Sequence, residues 1–302
     1  MQLRLLIELT ASINDIVGLE VIKKNTNWTS RYKLLFELML DTSLSEKQIV
    51  RKIYKEPNSE KQFRVLKQRF KTKLIDAFLL SQLSAEIYKS KYHMQKTICI
   101  KNWTASHILR DVGFTKLSHQ IKEQILSRAK IYDLTEYCLL LANELTIYYG
   151  LIDFDSKKYN QYEKLLEKYE HEYELYRKAV KYYIYFGQIV LNNRFEQNNK
   201  AFATRCSELK TLYEKYHEID SYFIKYYMFN AIYFMALHTQ DLNLQLKTSN
   251  EAIEYFEKKK GFSFMGIFSF MQKKAIFFLI QGKYQLSEIE IQKSFKYLRK
   301  EN

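Results

Sequence analysis

Residues 275–287 read Ala275-Ile-Phe-Phe-Leu-Ile-Gln-Gly282-Lys-Tyr284-Gln-Leu-Ser287. An apolar run ends at a glycine, an aromatic follows two residues later, and a small polar residue follows five later. Ala275 precedes the glycine by seven positions, and Ser294 and Phe295 lie seven and eight beyond Ser287. Small side chains on both flanks of a turn let two helices cross closely. Leu109-Arg-Asp-Val-Gly113-Phe-Thr-Lys-Leu-Ser118 repeats the arrangement, again with a small residue five after the glycine.

From about residue 85 onward, breaks fall at 110–113, 150–156, 191–196, 238–242 and 281–283. The following helices start near 115, 157, 197, 242 and 284, at intervals of 42, 40, 45 and 42 residues. A recurring unit of that length indicates stacked helical hairpins, each burying its apolar face against its neighbours. Leu117, Ile121, Ile125 and Ala129 share one helical stripe, as do Leu134, Cys138, Leu141, Leu145 and Tyr148. With 7 Gly and 1 Pro in 302 residues, tight turns are scarce and an all-α chain is expected.

The glycine turn with small residues at the crossing resembles the tetratricopeptide (TPR) pattern over residues 85–302. Met271, Lys274 and the missing closing proline depart from that pattern. The resemblance implies an all-α, TPR-like helical-hairpin solenoid, an α-α superhelix, with an N-terminal helical segment over 1–84. It implies a protein or peptide partner and no catalytic residues. Tyr182, Tyr185, Tyr222 and Tyr226 belong to aromatic runs at equivalent points of adjacent units, on helices that line the groove in TPR-like proteins. They are the expected partner-binding residues. The final helix is expected to cap the stack, with Ile289, Ile291, Phe295 and Leu298 inward and Lys293, Lys296, Arg299 and Lys300 outward.

Within 1–84, helices are expected over about 2–23, from Thr29, from Ser45 and after Pro57. Ser45-Glu-Lys-Gln48 reads as a capping box. Phe63, Leu66, Phe70, Leu74 and Phe78 form the stripe of the last one. Residues 1–130 hold 24 Lys+Arg against 12 Asp+Glu, and residues 131–302 hold 24 against 22, so the basic excess lies toward the N-terminus. Lys61, Arg64, Lys67 and Lys71 are the candidates for phosphate contact, in the alternative reading of a nucleic-acid-associated regulator.

Other classes receive little support. Cys99, Cys138 and Cys206 are odd in number and widely spaced, as reduced buried thiols would be. Neither metal-ligand spacing nor a nucleophile elbow nor a phosphate-cradling glycine loop is present, so no cofactor, metal or enzymatic activity is expected. Glu8 interrupts the N-terminal apolar run, and Phe262–Ile280 contains Gln272, Lys273 and Lys274. Neither a signal peptide nor a membrane span is therefore expected, which leaves a cytoplasmic location by default. In Asn27-Trp28-Thr29 and Asn102-Trp103-Thr104 the polar residues are expected to cap helices with the Trp packed beside them, and Asp155 is expected to cap the helix that follows it.

Overall fold

The computed structural model describes residues 29–41, 43–54, 59–80, 90–191, 200–215, 219–259 and 265–298, with positions 7, 10, 11 and 262. The side chains of 76–80 and 298 are excepted. The helix expected over 2–23, Asn27, Trp28, and the contributions of Phe78, Leu298, Arg299 and Lys300 fall essentially outside that set. Twelve helices and no strand occur among the described residues, so the protein is all-α. None of these helices is long and apolar enough to cross a membrane. The chain divides into two compact units, residues 1–88 and 89–302.

The smaller unit contains α1 (Ser30–Leu40), α2 (Glu46–Ile53) and α3 (Glu60–Leu80). Ser45 closes the capping box of α2: Gln48 N donates to its Oγ at 3.4 Å, and Ser45 N donates to Gln48 Oε1 at 2.8 Å. Leu35, Phe36 and Met39 of α1, Ile49 of α2, and Phe63, Leu66, Phe70 and Leu74 of α3 form one buried cluster.

The larger unit contains α4 (Lys91–Asp111), α5 (Thr115–Ile131), α6 (Thr135–Leu151), α7 (Ser156–Leu191), α8 (Lys200–Lys215), α9 (Tyr222–His238), α10 (Leu242–Lys258), α11 (Met265–Ile280) and α12 (Tyr284–Leu298). Most helices adjacent in sequence pack together, but α7 packs on α6 and on α9 rather than mainly on α8. Tyr162 in its first half stacks on Tyr149 of α6, while Tyr176 and Tyr183 in its second half pack on Tyr227 of α9. Asp155 caps α7 as expected, its Oδ1 accepting from Lys157 N and Lys158 N at 3.0 Å each. Asn102 and Thr104 do not cap anything. They lie inside α4, where Thr104 Oγ1 donates to Ile100 O at 3.1 Å.

Four turns share one backbone device. The N–H groups of Phe114, Leu134, Asp241 and Lys283 reach the carbonyls of Leu109, Ala129, Ala236 and Phe278, five residues back, at 2.8–2.9 Å. The residue before each donor is left-handed: Gly113 at φ 95°, Asp133 at 54°, Gln240 at 56° and Gly282 at 69°. This is the Schellman stop, which ends a helix and reverses the chain within three residues.

Polar side chains tie the hairpins together. Lys122 of α5 is almost fully buried, and its Nζ lies 2.7 Å from Glu144 Oε2 of α6, whose other oxygen is 3.2 Å from His107 Nε2 of α4. Glu123 Oε1 accepts from Tyr149 at 2.8 Å, and from Tyr162 and Lys158 Nζ at 2.9 Å. Asp133 reaches across the unit to the start of α9, where its Oδ2 accepts from Ser221 Oγ at 2.9 Å and its carboxylate also accepts from the backbone N–H groups of Tyr222 and Phe223.

Burial nevertheless raises the Asp133 pKa from 3.8 to about 6. Between about pH 4 and pH 6 the group therefore holds a proton in the fold that it loses in the unfolded chain, and above that it is ionised in both. Its contribution is fully present below about pH 4 and is lost as the pH rises through about 6. Asp133→Asn keeps the left-handed tolerance and an acceptor but cannot ionise. Discounted for partial exposure, its stability relative to the parent should rise by about 1–2 kcal/mol between pH 4 and pH 7. Urea melts at both pH values measure this, and a difference independent of pH would mean that Asp133 is ionised throughout.

Candidate binding surfaces

The four tyrosines read as partner contacts do not line one surface. Tyr182 and Tyr185 of α7 turn toward α8: the Tyr182 hydroxyl donates to Glu208 at 2.8 Å, and Arg205 lies 4.1 Å over the Tyr185 ring. Burial, and then the Glu208 carboxylate, push Tyr182 up to about 12. On α9, Tyr222 is only 3% exposed. It stacks on Phe262 at 4.9 Å, meets Phe256 edge-on at 4.9 Å and accepts Gly266 N–H at 3.2 Å. A Cβ on Gly266 would come within 2.8 Å of that hydroxyl, so close packing at α11 fixes the ring. Tyr226 is half-buried against Tyr227 and Phe256. The expectation thus fails for Tyr222, a core residue, and for a groove shared by all four. Equivalent positions in sequence do not impose equivalent azimuths when α7 runs unbroken through two packing partners.

The basic stretch becomes a site through the packing of α2 on α3. A cleft of about 930 Å³ is lined by Lys47 and Arg51 of α2 and by Lys61, Arg64 and Lys67 of α3, with Glu46 and Glu60 as the acids among the described residues. Lys47, Arg51, Lys61 and Arg64 are exposed. Lys67 is already paired with Glu46 and sits 5.0 Å over the Phe63 ring. Lys71 does not line the cleft. The basic excess also extends beyond this unit. Residues 89–130 hold nine Lys and Arg against Asp111 and Glu123.

The terminal helix is turned the other way from the expected cap. Toward α11 it presents Ser287, Glu290 and Ser294, all buried. Ser287 Oγ donates to Ala275 O at 2.9 Å, and Glu290 Oε1 lies 3.4 Å from Lys274 Nζ and 3.1 Å from Lys293 Nζ. Small residues permit this close crossing, and it leaves Leu286, Ile289 and Phe295 outside at 44%, 46% and 49% exposure. Met265, Ile276 and Leu279 form a matching exposed stripe on α11, with Ile280 beside it. Both helices therefore leave several apolar side chains in solvent, while Ile267, Phe270, Met271 and Phe277 of α11 stay buried.

Comparison with known proteins returns no matching family model, no similar curated protein and no similar solved structure.

Placement of the tyrosines gives opposite expectations for two substitutions. Tyr222→Ala should cost about 3–5 kcal/mol, the usual range for emptying an aromatic site in a core. Tyr185→Ala, which removes a half-buried ring beneath Arg205, should cost less than half as much. Equal losses in chemical denaturation would contradict the burial described for Tyr222.

Proposed function

We propose that this protein is a non-enzymatic, TPR-like helical-repeat scaffold that binds a protein or peptide partner, and that the exposed apolar end formed by α11 and α12 is the docking face. The observation that carries this reading is the inverted terminal helix, which buries serines and a glutamate while leaving Leu286, Ile289 and Phe295 exposed, with Ile276 and Leu279 exposed on the helix before it. Contiguous apolar patches rimmed by polar residues mark interaction sites. The TPR likeness draws support from Ala275 and Ser287, which meet where α11 and α12 cross, from the buried Ser294 two turns further on, and from the recurring glycine turns. The face suits an amphipathic helix laid along it.

The test replaces Ile276, Leu279, Ile289 and Phe295 with Ser together. All four are about half exposed, so the melting temperature should hold or rise. Proteins cross-linked to the parent chain in its native cytosol should be lost from the variant. A captured set identical for parent and variant would sink the docking face.

A second reading, polyanion contact by the smaller unit, is favoured by the convergence of Lys47, Arg51, Lys61 and Arg64 on one cleft. Each phosphate neutralised contributes about 0.7–0.9 to the slope of log affinity against log salt. Reversing Arg51, Lys61 and Arg64 to Glu should reduce that slope for single-stranded DNA by about 2 or more. If the parent chain binds neither DNA nor heparin at low salt, this reading falls.

A further inference from the structure

A second cavity, of about 180 Å³, lies inside the larger unit between α4, the turn before α6, α7 and α9. Five aromatic residues line it: Tyr92 of α4, Tyr137 of α6, Tyr176 of α7, and Phe223 and Tyr227 of α9. Tyr92 and Phe223 meet at 5.0 Å between centroids, and Tyr176 and Tyr227 meet edge-on at 5.7 Å. Two carboxylates complete the wall: Asp133 on the left-handed turn and Glu136 in the first turn of α6, where it is exposed. Among the described residues, Lys96 is the cation lining the cavity.

Each feature narrows the ligand. The volume is close to that of cavities that take one benzene ring, roughly 150 Å³, and far below the several hundred Å³ of a nucleotide-sized site. The electrostatic field is negative. Asp133 and Glu136 both raise the Tyr92 hydroxyl after burial does, and Glu136 acts likewise on Tyr176. Negative field excludes phosphates and carboxylates. Two carboxylates fall short of the oxygen donors that a hard metal cation requires, and no group of three candidate metal ligands exists among the described residues. Aromatic rings with acids at the edge suit a weakly hydrated organic cation, which gains from ring quadrupoles and loses little on leaving water.

We infer that this cavity binds an alkylammonium group, a quaternary or methylated amine, held against Tyr92, Tyr176, Phe223 and Tyr227 with Glu136 and Asp133 as counter-charges. Lys96 competes for the same acids and sets the affinity low. The assignment is independent of the docking face on α11 and α12.

Calorimetry on the full chain tests it with choline and with 3,3-dimethylbutan-1-ol, which has the same shape without the charge. Choline should bind, and the neutral analogue should bind at least about fivefold more weakly. Glu136→Gln should weaken choline about threefold, and Tyr227→Leu about fivefold or more. Lys96→Gln should tighten it about threefold, a gain that no loss of folding produces. A trimethyllysine peptide measured alongside identifies the source. Binding about tenfold tighter than choline places the ammonium on a partner chain, and equal binding places it on a small molecule. Both results support the site. No heat from choline or the peptide, equal affinity for choline and its neutral analogue, or an affinity unmoved by both Glu136→Gln and Lys96→Gln overturns it.

Discussion

The larger unit rests on one backbone hydrogen bond made again at turn after turn. Where Phe114, Leu134, Asp241 and Lys283 reach back five residues, the helix ends and the next begins almost at once. Such short connections force neighbours to lie side by side, and their separation is then set by the side chains at the crossing. Ser118, Ala275, Ser287 and Ser294 are buried because their helices run so close. Gly113 and Gly282 adopt the left-handed conformation at no cost, whereas Asp133 and Gln240 carry a penalty of about 1–2 kcal/mol each. Asp133 offsets that penalty through its bonds to Ser221 and to the first N–H groups of α9. The strained turn thereby fixes where a helix 88 positions further along must start.

The second recurring interaction joins tyrosines to acids on neighbouring elements. Tyr182 donates to Glu208, Tyr213 to Glu251, Tyr255 to Asp220 and Tyr297 to Glu257, while Tyr149 and Tyr162 share Glu123. A buried ring supplies apolar area, but its hydroxyl must find an acceptor. Carboxylates at the seams between helices satisfy it. These tyrosines are thus accommodated without stranded hydroxyls. The arrangement also draws acids into the seams and leaves many lysines facing water.

How much of this was legible in the sequence depended on whether the deciding contact was local. The capping box at Ser45, the Asp155 cap and the stripe Phe63–Leu74 involve residues within a few turns of each other, and they read correctly. The turns with glycine stood out, and the left-handed Asp133 did not, because its support comes from Ser221. Lys122 and Glu144 gave one signal that went unused: Glu144 adjoins Leu145 in an apolar stripe, where a charge needs a buried partner. The basic cleft was half legible, since Lys61, Arg64 and Lys67 share a face of α3 while Lys47 and Arg51 join them only through packing. Tyr222 and α12 misled because a helix with apolar residues on several sides does not declare which side meets its neighbour. On α12 the close approach of Ala275 and the charge of Lys274 decided in favour of the serines and Glu290.

That choice has an energetic consequence. Met265, Ile276, Leu279, Ile280, Leu286, Ile289 and Phe295 are about half exposed, so covering them removes roughly half of each side chain from water. At about 1.5–3 kcal/mol for full burial of such a side chain, the face offers on the order of 5–10 kcal/mol. Association itself costs an estimated 4–15 kcal/mol before side chains are ordered. The apolar face alone therefore sits near the threshold of measurable binding. A disordered peptide, which must also be ordered, falls below it, whereas a preformed helix does not. Lys283, Lys293 and Lys296 stand exposed around the face, although Lys293 is shared with Glu290. Acidic flanks on the partner gain from them mainly in encounter rate. On the proposed docking role, such a face would favour a rigid amphipathic helix with an acidic rim over an extended peptide.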